Sequence, residues 1–336
     1  MRIVDRPLAD AIGEAGGPYW RRAPAGPDAP GCVGFDRAFL VVPQFLPVTV
    51  GGETFRDAFA VYGPGKYAHL YGPETAAAIE RRLPALLAAG DATGTFVLGG
   101  ARNHFHWLAD FLPRLALLAA DPALAGGAVL VNHDLDAAQG RSLDFVTAAL
   151  GLRLPALRPV ADGIVGVRRV AVPVRATRVA AVRFWDTVLA AAGVARVASG
   201  RRLFVRRGAV ARRRLVDEDA VAATLTASGF DVIDPGTLSF AEQVRTFAAA
   251  SIIVGTHGAA LANILLAPRM ARIVELRGAA HTSEYRDLAR AAGQPYAALR
   301  LQEIAGSDPE PLHRDVRLGE EGLAALRRFA ERRDRP

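Results

Sequence analysis

Phe247–Pro268 reads FAAASIIVGTHGAALANILLAP, twenty-two residues without Asp, Glu, Lys or Arg. A run this apolar is long enough to be weighed as a membrane span. Gly255-Thr256-His257-Gly258 interrupts it, and a strand, a tight glycine turn and a buried helix explain it better. The strand is expected at 251–254 and the helix at 259–266. Such a turn points main-chain N–H groups outward at a helix start, where the helix dipole favours an anion. Glycine permits positive φ and close approach of a ligand. Ala259, Ala260 and Ala262 let the helix sit near the sheet, and His257 can donate to a phosphate oxygen. The same pattern also fits an ordinary strand–turn–helix connection.

The surrounding segments repeat this alternation. Strands are expected at 202–205, 230–233 and 271–276, and helices at 178–197, 217–228 and 239–249. Ser239 is the expected N-cap of the last, with Glu242 as its capping-box partner. Close strand–helix alternation describes a doubly wound parallel unit. Upstream, short apolar runs at 39–42, 49–50, 58–62, 95–98, 128–131 and 167–172 read as strands, with helices at 103–119 and 137–150, the latter stopped by Gly151. These too alternate in a way that suggests a parallel sheet. Residues 1–34 are rich in Pro and Gly and read as an irregular lead-in. Residues 319–332 form a basic amphipathic helix, compatible with peripheral membrane association. The boundary between the two halves is expected near 165–178.

The 336 residues are 51% hydrophobic and 22% charged, enough for two domains and a sizeable core. One cysteine, Cys32, excludes a disulfide framework and a Cys-based zinc site and leans towards a reducing cytoplasm. Met1 to Asp10 carries Arg2, Asp5 and Arg6 without an apolar run, which is unlike a signal peptide. The net charge is +7, almost all from arginine, Lys66 being the only lysine. Arginine is spread along the chain and aromatics are 7%, so no nucleic-acid partner is expected. The bias reads as genome composition together with affinity for phosphate esters or anionic lipid.

Three further clusters could carry chemistry. In Asn103-His104-Phe105-His106-Trp107-Leu108-Ala109-Asp110-Phe111-Leu112-Pro113-Arg114, a helical wheel puts Asn103, His106, Asp110 and Arg114 on one side. His106 and Asp110 are i,i+4 neighbours, a spacing that can prepare a general base; a solvated polar face is the plain alternative. Pro113 removes a main-chain donor and should kink this helix. Arg206-Arg207-Gly208-Ala209-Val210-Ala211-Arg212-Arg213-Arg214 places five arginines where a strand ends. Guanidinium forks bind phosphate bidentately, although such runs are commonly solvated. Ile273-Val274-Glu275-Leu276 closes a buried strand on one acid, a position that can hold ribose hydroxyls.

Taken in order, 104–115, 204–207 with Arg213-Arg214, 238–243, 255–263 and 273–276 resemble glycosyltransferase family 61. That group includes capsular-polysaccharide-type enzymes of bacteria and O-GlcNAc and xylosyl transferases of eukaryotes. The resemblance covers roughly residues 95–300. It implies an α/β, GT-B-like fold of two Rossmann-like doubly wound domains facing a central cleft. Residues 1–170 would be an acceptor domain and 171–312 a nucleotide-sugar donor domain. Residues 313–336 would form a C-terminal helix packing back towards the N-terminal domain. The activity implied is inverting, metal-independent sugar transfer to a glycan or lipid-linked acceptor. The setting would be capsular, exo- or lipopolysaccharide assembly at the cytoplasmic face of the membrane. No cofactor is implied beyond the nucleotide-sugar co-substrate, a UDP-sugar rather than a GDP-sugar.

By the same resemblance, Arg207 and Arg213 meet the donor phosphates together with Thr256, His257, Gly258, Ala259 and Asn263, and Glu275 lies near the nucleoside. Asp110, assisted by His106, is the expected base, with His104 as the alternative. Asp110 stands where the family usually has Glu. The Asp-x-Asp sequences, Asp134-Leu135-Asp136 and Asp217-Glu218-Asp219, are not placed on strand-end loops of the second half. A nucleotide-sugar oxidoreductase or epimerase would need G-x-G-x-x-G after the first strand and Tyr-x-x-x-Lys, and neither is present. A non-catalytic basic nucleotide- or membrane-surface-binding module is the rival reading; it predicts steep salt dependence and no nucleotide-sugar affinity.

Overall fold

In the computed structural model the described residues are 1–8, 19–22, 31–42, 45–59, 72–88, 94–100, 102–132, 135–160, 163–208 and 210–331. The chain divides into two units, Met1–Phe184 and Trp185–Pro336. The division falls within the helix Arg178–Ala191. A cut at 170 would sever a strand of the first sheet that continues to Pro173.

The first unit is built on nine strands. They are β1 (Val4–Asp5), β2 (Tyr19–Arg22), β3 (Cys32–Val42), β4 (Leu46–Thr49), β5 (Glu53–Thr54), β6 (Thr95–Val97), β7 (Ala128–Val131), β8 (Leu157–Pro159) and β9 (Gly163–Pro173). Their order is β1-β5-β4-β3-β9-β6-β7-β8, with β2 on β3. β9-β6-β7-β8 is the parallel array expected, and β1 also pairs β5 in parallel. β3 runs antiparallel to β2, β4 and β9, so the unit has a mixed sheet rather than a doubly wound one. The cause is local. Three residues join β3 to β4, which allows only an antiparallel turn, because a parallel pair needs a crossover of about a dozen residues or more. β3 then pairs along its whole length with β9, from Cys32 opposite Pro173 to Val42 opposite Gly163.

The strand expected at 58–62 is not formed at its start. Ala58 and Phe59 lie in a short helix, Arg56–Phe59, and 60–62 fall outside the described residues. Phe59 instead packs against Phe35, which also stacks on Phe55, in the aromatic part of the core.

The second unit has a five-stranded parallel sheet of β10 (Arg201–Val205), β11 (Asp231–Ile233), β12 (Ala250–Thr256), β13 (Arg272–Arg277) and β14 (Tyr296–Arg300). The order β11-β10-β12-β13-β14 is the doubly wound one, reversing direction between β10 and β12. In open α/β sheets, ligands bind at the carboxyl ends of the strands that flank such a reversal. Helices Glu218–Ala227, Phe240–Ala248, Ala259–Leu266 and Glu284–Ala292 make the crossovers. Ser239 caps the second of these through the expected capping box with Glu242. The helix expected at 178–197 stops at Ala191, where Gly193 turns into a left-handed conformation at φ 69°.

The terminal helix Gly319–Glu331 packs within the second unit. Leu326 and Ala330 join Val221 and Leu225 of the helix Glu218–Ala227 in the core beneath Phe204, Val254 and Val274. The Arg202 guanidinium donates to the carbonyls of Ser228 and Ala330, so one cation caps both helix ends. Among the described residues no helix is long and apolar enough to cross a membrane.

Candidate functional site

β10 ends at Val205, and the next two residues diverge. Arg206 donates to Glu218 at 3.1 Å and to Asp219 at 2.6 Å. The Arg207 main-chain N–H is held by the other Glu218 oxygen at 2.9 Å. Its side chain crosses to the end of β12, where Nη1 donates to the His257 carbonyl at 2.6 Å. The arginine run is thus sorted by its partners. Arg212 faces Asp308 and Arg214 is clamped by Asp315. Arg207 and Arg213 have no carboxylate among the described residues, and the Nε of each is buried without a hydrogen-bond partner among them. Burial, followed by the charge of Arg213, pulls the Arg207 guanidinium down to about 10. Two guanidiniums held within each other's field, with donors in hand, are an arrangement chemically suited to an anion.

Arg213 is aimed by its backbone. It adopts a left-handed φ of 56°, fixed by its N–H on the His313 carbonyl at 3.0 Å. Asp315 secures the next residue, accepting from the Arg214 N–H at 2.8 Å and from its guanidinium at 2.6 Å.

Gly258 is required for room, not handedness. Its φ of 177° is extended, but a Cβ there would lie 2.0 Å from Arg207 Nη1. Tyr285 donates its hydroxyl to the Gly258 carbonyl at 2.6 Å. Ala259 then opens the helix Ala259–Leu266, which is 3₁₀ in form. Thr256 is buried, and its hydroxyl has no hydrogen-bond partner among the described residues.

Two expected donor contacts lie in the interior instead. Asn263 is fully buried and donates to Gln243 at 3.1 Å, and Gln243 in turn holds the Pro235 carbonyl. Asn263 therefore locks two of the sequence motifs together rather than facing a ligand. Glu275 is also fully buried. One oxygen meets His257 Nδ1 at 2.5 Å and the other accepts the Tyr296 hydroxyl, so both are engaged in the interior. Glu275 orients His257.

The second cluster lies in the first unit. Asn103 caps the turn His104–His106, accepting from the Phe105 N–H at 2.9 Å. The helix then widens over Trp107–Phe111 into a π turn, closed by Leu112 N–H on the Trp107 carbonyl. Pro113 has no N–H to continue the α ladder, and the shift in bonding begins one turn before it. On the wheel's polar side Asp110 and Arg114 are buried, His106 is half-buried and Asn103 is exposed.

Asp110 is 1% exposed and His106 12%. His106 Nδ1 meets Asp110 Oδ2 at 2.7 Å, and Arg178 Nη1 donates to Oδ1 at 2.8 Å. Burial alone would raise the Asp110 carboxyl, but the His106 hydrogen bond and the Arg178 charge outweigh it and hold it below the usual range. A carboxylate so stabilised is a weak proton acceptor. Asp110 lies behind His106, which is the more exposed of the pair. His104 opens the turn and is half-buried. Arg114 lies buried beside Asp110 and donates to the Leu98 carbonyl at 3.0 Å. Burial draws Arg114 down to about 10 despite Asp110. Gly99, at φ 76°, leaves the space in which Arg114 and Phe111 pack.

Sequence reasoning missed Arg178, His281 and Tyr285. Arg178 lies sixty-eight residues from Asp110, and no motif marks it. His281 and Tyr285 follow β13 at the same sheet end as Arg207, a position that could have drawn attention to them. Asp136 of the first Asp-x-Asp sequence is an N-cap of Ala137–Leu150, and Asp134 lies outside the described residues.

The second unit is a doubly wound α/β unit with Arg207 at the carboxyl end of the strand beside its reversal, the place where open α/β sheets bind ligands. The sequence model of the family Glycosyltransferase 61 matches residues 104–274, half of the chain, and spans both clusters. The chain belongs to glycosyltransferase family 61. It is also 31% identical over 104 residues to the EGF domain-specific O-linked N-acetylglucosamine transferase of Drosophila melanogaster. That match covers 30% of this chain and 20% of the relative's length.

Proposed function

We propose that this protein is an inverting glycosyltransferase that moves a sugar from a nucleotide-sugar donor to a glycan or lipid-linked acceptor. The observation that carries the reading is the pair Arg207 and Arg213, like charges held together at the ends of β10 and β12 with Nε groups unpartnered among the described residues. Their repulsion is offset by a polyanion of pyrophosphate type, and the adjoining helix start adds main-chain amides. When the bond between the anomeric carbon and the phosphate oxygen breaks, the negative charge develops where these guanidiniums sit. They supply electrostatic stabilisation without calling on a divalent cation.

The acceptor oxygen forms the new bond to the anomeric carbon from the opposite side, and its proton passes to a base. His106, held at Nδ1 by Asp110 at 2.7 Å, is the base assigned here. Family membership and the Drosophila relative support sugar transfer in general. A UDP-linked donor, a role in surface or exported polysaccharide assembly, and action at the cytoplasmic face of a membrane belong to the proposal.

A thermal-shift screen of nucleoside diphosphates and nucleotide sugars tests it, because a ligand of the native state raises the melting temperature. UDP or a UDP-sugar is expected to do so, and transfer assays with that donor follow. Silence from every nucleotide in the screen would overturn the reading.

A further inference from the structure

We infer that His281 is a donor-site residue that gives an imidazole Nε2–H to a phosphate oxygen of the bound nucleoside diphosphate. The inference rests on the donor pocket proposed above. His281 lies in the turn that leaves β13, at the carboxyl end of the sheet where Arg207 and His257 meet. The turn is held from several sides. Nδ1 of His281 accepts the Gly278 N–H at 3.1 Å, Arg277 donates to the His281 carbonyl, and the Ala280 N–H meets Glu303 at 3.0 Å. The ring stacks on His257 with centroids 4.2 Å apart and planes 21° from parallel. His257 is edged by Tyr285 at 5.0 Å and gives its own carbonyl to Arg207.

The tautomer follows from these bonds. A neutral imidazole that accepts at Nδ1 carries its only proton on Nε2. The charged and titratable surroundings favour that neutral form. Arg207 and Arg213 approach from the donor pocket and Arg277 from β13, while His257, Glu275 and Tyr285 lie behind the stacked ring and Glu303 behind the turn. Burial and the neighbouring cations hold His281 down at about 3. It therefore offers an N–H donor throughout the working pH range, beside two arginines whose Nε groups lack partners among the described residues.

The experiment compares His281→Leu and His281→Gln with wild type by calorimetric titration of UDP, GDP and uridine. Gln places an amide N–H near the Nε2 position, whereas Leu fills space without a donor. His281→Leu should lower nucleoside diphosphate affinity about tenfold, the worth of one good hydrogen bond to a charged acceptor, and leave uridine unaffected. His281→Gln should recover most of the loss. Equal affinity in all three proteins would overturn the inference, as would a Leu variant weakened equally towards uridine. Arg207→Ala separates this from failure of the pocket itself. If Arg207→Ala weakens UDP binding and His281→Leu does not, only the role of His281 falls. If neither changes it, the pocket falls too. Should His281→Leu not fold, wild-type protein with ¹⁵N-labelled histidine supplies the reading. The His281 Nε2–H resonance should move on adding UDP, and a fixed resonance counts against the role.

Discussion

Replacing Gly258 by alanine isolates the geometry that makes Arg207 a ligand-binding group. The backbone at 258 is extended, at φ 177°, so alanine brings no conformational strain. The new Cβ would meet Arg207 Nη1 at 2.0 Å and Cζ at 3.0 Å, while its next contact, the Thr256 carbonyl, is at an ordinary 3.6 Å. The guanidinium is the end of a flexible side chain and swings aside, giving up its bond to the His257 carbonyl. Folding then loses one hydrogen bond, about 1 kcal/mol, and the melting temperature falls by a few degrees at most. Binding loses charge-assisted bonds to phosphate worth about 1.5–3 kcal/mol. UDP affinity should therefore drop roughly tenfold to a hundredfold. Calorimetric titration measures it, with Arg207→Ala and the double variant alongside. Because both changes act through one side chain, the double variant should be no weaker than Arg207→Ala alone. The reasoning is refuted if Gly258→Ala binds UDP like wild type while Arg207→Ala does not, or if the two losses add.

Asp110→Asn should abolish sugar transfer while sparing nucleotide affinity, and should destabilise the fold by about 3–5 kcal/mol by leaving Arg178 without its carboxylate; activity, UDP titration and urea unfolding report the three. Because the folded-state value of Asp110 is depressed, its contribution to stability is complete above about pH 4, the unfolded value, and is lost as pH falls further through the lower folded one. Acid unfolding of the wild type should show that loss, and Asp110→Asn should flatten it. Arg202→Ala removes the shared cap of the helices Glu218–Ala227 and Gly319–Glu331 and should cost about 1–3 kcal/mol, read by chemical denaturation. Ser239→Ala breaks a capping box and should cost about 1 kcal/mol with no effect on nucleotide binding.

Local chemistry was legible without coordinates. The helix Ala137–Leu150 stops at Gly151, which takes the left-handed conformation at φ 63° that favours glycine. Ser239 and Glu242 cap the helix they announce, and Arg207 reaches the turn at His257 that the glycines marked. Each of these depends on residues within a few positions of one another or on strand ends that the sheet must align. Partner choice across long separations was decided elsewhere. β3 pairs with β9 from Cys32 opposite Pro173 to Val42 opposite Gly163, and no short-range pattern states which strands will meet. Asp110 reads as a surface acid on a helical wheel, yet Pro113, the π turn and Arg178 turn it into a buried, paired carboxylate. Glu275 and Asn263 look like ligand groups in the sequence, but the sheet gives them His257, Tyr296 and Gln243 as partners first. The order of residues sets which groups are available for an anion. Only folding settles which of them keep a donor for it, because a buried polar atom binds the nearest partner the packing provides.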